Sequence, residues 1–87
     1  MRIWKFPLEL TDAQTVMLPK GADIIAIEQQ HLKLQLWALC DEEAEKQPRG
    51  IAIYGTGHPI SDEPGRHIST FQIGGGEFVF HAFEVMP

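Results

Sequence analysis

The residues best suited to chemistry are crowded into one stretch, Ile53-Tyr54-Gly55-Thr56-Gly57-His58-Pro59-Ile60-Ser61-Asp62-Glu63-Pro64-Gly65, with Arg66 directly after it. Glycines at 55 and 57 leave backbone N–H groups free to point at a ligand. Tyr54 offers a face for stacking on a ring. Thr56 and His58 offer hydrogen bonds, and Arg66 offers a fixed positive charge for an anion. Tyr54, Thr56, His58 and Arg66 are therefore the expected ligand-binding residues, and the expected ligand is small and anionic or nucleotide-like. A purely structural reading stands beside this one. Glu63-Pro64-Gly65-Arg66 fits a type II turn, in which Pro presets the second position and Gly supplies positive φ at the third. Gly55 and Gly57 would then only let the chain leave a strand.

Other chemistries fit less well. Gly55-Thr56-Gly57 resembles the start of a dinucleotide fingerprint, but the third glycine is missing, and no Gly-Lys-Ser/Thr phosphate loop occurs. The histidines at 31, 58, 67 and 81 are not in His-x-His spacing, and Cys40 has no Cys partner, so no metal site and no cofactor is expected. His81 and Glu84 fall on opposite faces of a strand and do not converge. Ser61, Ser69 and Cys40 lack a nucleophile-elbow motif. The chain is read as a non-enzyme without catalytic residues. The enzymatic alternative is a small enzyme using His58 with Asp62 or Glu63.

Charge and cysteine usage narrow the setting. The net charge is −5 and the basic residues are scattered, so direct nucleic-acid binding is not expected. The acidic run Asp41-Glu42-Glu43-Ala44-Glu45 reads as a solvated loop. A single cysteine cannot staple the fold, which points to a reducing cytoplasm. No apolar stretch approaches membrane-spanning length, and the N-terminal residues alternate without a signal-peptide core.

The elements that must position the loop follow from a period of two. Trp4, Phe6, Leu8 and Leu10 share one face of a strand, and Pro7 assigns that strand to an edge or a bend. Thr11-Asp12-Ala13 reads as a turn, and Val16 and Leu18 mark a short second strand. Leu18-Pro19-Lys20-Gly21 has the pattern of a type I turn. Ile24 to Gln30 reads as a strand. Leu32, Leu34, Leu36 and Ala38 then alternate with Lys33, Gln35, Trp37 and Leu39 in a hairpin whose Gln30-His31 corner predicts a longer or irregular loop. Further strands run over 49–55, 67–73 and 78–85, the last two joined by Gly74-Gly75-Gly76. The fold class is all-β: about seven antiparallel strands forming a small barrel or sandwich in one domain, residues 1–87.

Several strands carry apolar side chains on both faces. Trp37 and Leu39 lie opposite the Leu34 face, and Phe83 and Val85 lie opposite the Phe80 face. A single sheet would leave them wet, and 87 residues bury only a modest core. Trp37, Leu39, Phe83 and Val85 are therefore expected at a homo-oligomeric interface.

The stretches IWKFPLEL, LPKGA, LWAL, IYGTGHPI and FVFHAFE together resemble a group of small proteins encoded by tailed bacteriophages and prophages. The likeness spans nearly the whole chain, and IYGTGHPI is its most specific part. It implies a phage-related origin, an intracellular setting and an accessory role in infection, and it transfers no catalytic residues. The resulting expectation is a phage-related, non-enzymatic, oligomeric binding module that captures a small anionic host ligand in an anti-defence role. The alternative is a protein-interaction or virion-associated structural protein.

Overall fold

The computed structural model describes residues 1–85. The alternating pattern becomes seven strands: β1 (Arg2–Leu8), β2 (Ala13–Pro19), β3 (Asp23–Gln30), β4 (Lys33–Cys40), β5 (Lys46–Gly55), β6 (Arg66–Ile73) and β7 (Phe78–Val85). They form a three-stranded sheet in the order β1-β4-β3 and a four-stranded sheet in the order β2-β5-β7-β6, with every pairing antiparallel. The sheets do not close into a barrel, so the fold is sandwich-like.

One core lies between the inner faces. The smaller sheet contributes Leu8, Ile24, Ile27, Leu34, Leu36 and Ala38; the larger contributes Leu18, Ile51, Ile53, Phe71 and Ala82. Each large aliphatic side chain buried here stabilises the fold by about 1.5–3 kcal/mol against an exposed one. The sheets approach along β3 and β6. No ladder joins them there; instead the Ile27 N–H donates to Ser69 Oγ at 3.0 Å.

Several local expectations need correction. Leu10 lies beyond the end of β1 and is exposed, and Ala13 opens β2 rather than a turn. The turn after β2 is shifted by one residue. The Ala22 N–H donates to Pro19 O at 3.0 Å, and Gly21, with φ +78°, takes the third position. That positive φ is what a type II turn needs there, and only glycine supplies it without strain. Between β3 and β4 the hairpin is tight, not irregular. Gln30 pairs with Lys33, and the two central residues are His31 and Leu32, with φ +51° and +66°. This is a type I′ turn without glycine or asparagine. Leu32 is 91% exposed and does not join the Leu34 face.

Two features of the larger sheet aim side chains at the candidate site. Gly65 has φ +93°, and a Cβ there would collide with the Glu84 carbonyl oxygen, so the chain swings close against β7 as it enters β6. β6 is then bulged between His67 and Ser69. The extra residue, Ile68, exchanges the faces of everything before it. Ser69 and Phe71 face inward, Thr70 faces outward, and upstream of the bulge Arg66 turns inward while His67 turns out.

Candidate functional site

The loop after β5 begins with a tight turn. The His58 N–H donates to Gly55 O at 3.1 Å, and Gly57, at the third position, has φ +87°. The Thr56 N–H donates to Val79 O at 3.1 Å and fixes the turn to β7. The His58 ring lies over Gly55: a Cβ on Gly55 would come within 3.1 Å of its Cε1. The two glycines therefore have separate uses, one conformational and one to admit the ring.

The register of the sheet completes the site. Tyr54 stands opposite His81, Thr70 opposite His81 on the other side, and His67 opposite Phe83. All project from the outer face of the four-stranded sheet. Phe83 meets Tyr54 edge-on at 5.9 Å between ring centroids and His67 at 5.3 Å. Thr56 Oγ1 lies 2.7 Å from His81 Nε2, Thr70 Oγ1 lies 2.9 Å from His81 Nδ1, and His67 Nε2 lies 3.1 Å from Thr70 Oγ1. Thr56 Oγ1 also donates to Val79 O at 3.4 Å.

These contacts form a continuous chain in either direction, and the Thr56 contact to Val79 O favours one of the two. The Val79 carbonyl can only accept, so the Thr56 hydroxyl donates to it and accepts from His81 Nε2–H. His81 Nδ1 then accepts from the Thr70 hydroxyl, which accepts from His67 Nε2–H. Both ring nitrogens of His81 have a hydroxyl partner, which holds the ring in one orientation. The result is a concavity of about 300 Å³, lined chiefly by Tyr54, Thr56, His58, His67, His81 and Phe83.

Of the four expected ligand-binding residues, the structure brings together Tyr54, Thr56 and His58. Arg66 is elsewhere. Because of the bulge it points to the inner side of the sheet, where its Nη2 is 3.4 Å from both Glu84 Oε1 and Ile24 O. Its acidic partner is Glu84. Glu84 is buried at 8% exposure and also holds Arg49 in a two-pronged ion pair; Arg49 Nη1 further donates to Ala22 O at 2.9 Å. Hydrogen bonding to Arg49 is the first cause that holds the Glu84 carboxyl below the usual carboxylate range, with Arg66 adding to it, against burial that pushes the other way. The Arg49 guanidinium is raised in turn by Glu84. This cluster opens on a broad cleft of about 770 Å³ and ties the start of β3 to the larger sheet.

Sequence reasoning missed His67, Thr70, His81 and Phe83 as members of the site. The pairing signal was available: a turn at Gly74–Gly76 sets Ile73 opposite Phe78 and so Thr70 opposite His81. The expected interface residues divide into two patches. Trp37 and Leu39 lie on the outer face of the smaller sheet, while Phe83 and Val85 lie on the outer face of the larger one. Phe83 is also part of the concavity. Among the described residues, no group of three or more His, Cys, Asp or Glu side chains is placed to hold a metal ion.

Fold and site together define a class: a small all-β sandwich carrying an ordered hydroxyl–imidazole chain beside aromatic edges on one outer sheet face. Within that class, the chain belongs to the family described as Domain of unknown function (DUF7352), whose model matches residues 1–87. No curated protein and no solved structure matches the chain.

Proposed function

We propose that this protein is a non-enzymatic binding module that captures a small, ring-bearing, nucleobase-like ligand in the concavity beside Tyr54 and Phe83. The observation that carries the reading is the pair of hydroxyls on His81. A side chain fixed on both ring nitrogens is a pre-organised wall, and pre-organisation is what a small site needs to bind without a large area. The aromatic rings of Tyr54 and Phe83 suit a planar ligand, and the half-open turn at Gly55–His58 provides its rim. With Arg66 turned to Glu84, recognition of the ring takes precedence over capture of an anionic group. The likeness to tailed-phage proteins adds a setting, an accessory role in sequestering a host compound.

Binding is favoured over catalysis for a chemical reason. Thr56 beside His81 has the spacing of a nucleophile and its base, but the group behind the imidazole is Thr70. A neutral hydroxyl does not stabilise an imidazolium as a carboxylate does.

Titration of isotopically labelled protein with nucleosides, the matching nucleotides and inorganic phosphate tests the proposal. Amide and imidazole shifts should gather at Thr56, His58, His67 and His81, with nucleosides as effective as nucleotides. Shifts elsewhere, or with phosphate alone, overturn it. Mass spectrometry of small molecules retained by protein purified from infected cells identifies the natural ligand.

A further inference from the structure

The two sheets end in two edge strands of very different character. β1 carries Arg2, Lys5 and Pro7, the residues with which edges are protected against further pairing. β2 reads Ala13-Gln14-Thr15-Val16-Met17-Leu18-Pro19 and has no charged residue. Among the described residues no strand pairs with its outer side.

Which backbone groups that edge offers follows from the ladder on its other side. The Lys20 N–H donates to Glu45 O and the Ile53 N–H donates to Asp12 O. Both pairs continue the unbroken β2–β5 register. Residues 14, 16 and 18 share their parity and so point their N–H and C=O groups at β5. Ala13, Thr15 and Met17 point theirs away from the sheet, as Pro19 would if it had an N–H, and the Ala13 carbonyl also accepts from the Thr11 hydroxyl at 3.2 Å.

We infer that β2 pairs antiparallel with β2 of a second copy of this chain across a two-fold axis at Thr15, joining two four-stranded sheets into one continuous sheet. The register is dictated by the hydrogen bonds. Thr15 opposite Thr15 and Ala13 opposite Met17 satisfy the N–H groups of all three residues on each chain and leave Pro19 just outside the ladder. Moving the axis to Val16 would set Ala13 opposite Pro19 and lose a donor. The side chains agree with this register. Thr faces Thr, a favourable cross-strand pair, Ala faces Met, and no charge meets a like charge. A second copy is the occupant because the segment is self-complementary. Beside the strand, Met17 is 49% exposed, and Trp4, 44% exposed, shares a groove with Phe6, Pro19 and the charged Lys5, Glu42 and Lys46 at the neighbouring edge of the other sheet.

The test uses the full chain and its Thr15→Lys and Thr15→Glu variants. Light scattering should give the wild type twice the 9.8 kDa chain mass. Each variant alone should be a folded monomer, because the axis sets identical charges against each other. An equimolar mixture should recover the dimer, since Lys then faces Glu. Hydrogen exchange should find the Ala13, Thr15 and Met17 amides protected in the wild type and fast in either variant. Three results overturn the inference: a monomeric wild type, a variant that remains a dimer alone, or a wild-type dimer with fast exchange at those three amides. If the variants do not fold, the wild-type mass and exchange pattern decide by themselves. A wild type that is monomeric alone but protected at those amides only after adding another protein assigns the edge to a different partner and also overturns it.

Discussion

Gly65 is a position where backbone and neighbour impose the same choice. Its φ of +93° disfavours a β-branched side chain, and any Cβ would strike the Glu84 carbonyl. Gly65→Val should cost about 3 kcal/mol, the strain of the torsion plus a displaced strand, read as a lower denaturation midpoint. The need for glycine here was legible from Pro64-Gly65, but residues 61–65 bend without the hydrogen bond of the expected Glu63–Arg66 turn; the collision was not legible, because the sequence does not say which strand passes behind Gly65. Gly55 is different. A methyl group there meets only the His58 ring, which can swing away. Gly55→Ala should therefore leave the denaturation midpoint nearly unchanged while shifting the His58 ring resonances and weakening ligand capture.

At the scale of elements, period two revealed the strands and their faces well. Phe80 and Ala82 do face the core, and His81 and Phe83 do face out. What period two cannot report is a break in its own phase. Nearness in sequence alone groups Arg66 with Tyr54 and Thr56, and a regular strand over residues 66–73 would keep it on the side of Thr70 and His81. The bulge at Ile68 reverses that assignment and delivers Arg66 to Glu84. The β3–β4 turn departs from its local sequence for a related reason. Its neighbours fix a two-residue hairpin, and His31 and Leu32 are forced into a region that favours Gly and Asn. Replacing His31-Leu32 by Asn-Gly should raise stability by about 1 kcal/mol or more, measurable as a higher midpoint with an unchanged denaturant slope.

For the whole molecule, the contacts that matter are those that hold one sheet to the other. Glu84 and its two arginines reach from the larger sheet to Ala22 and Ile24. Since the folded-state pKa of Glu84 is depressed, its contribution is fully present above the ordinary carboxylate pKa and is lost as pH falls through the depressed value. Glu84→Gln should cost about 3 kcal/mol at neutral pH, because Arg49 is left without its anion. It should also flatten the acid limb of a melting-temperature profile. Ser69→Ala should cost about 1–3 kcal/mol by leaving the Ile27 N–H, in a fully buried residue, without an acceptor. Neither contact was legible beforehand, since each joins residues far apart in the chain through a side chain that local pattern treats as ordinary.

The strand order has one more consequence. β2 belongs to a sheet whose other three strands all come after the acidic loop at 41–45, while the strands on either side of β2 in sequence, β1 and β3, build the opposite sheet. A nick in that loop would thus give two fragments of unequal completeness. The first would hold one whole sheet plus a strand with nothing to pair with; the second would hold three strands missing their outermost member. Each fragment carries what the other lacks, so the severed halves should reassemble when expressed together and remain unfolded when expressed apart. The acidic loop is accordingly the natural place to install a split reporter.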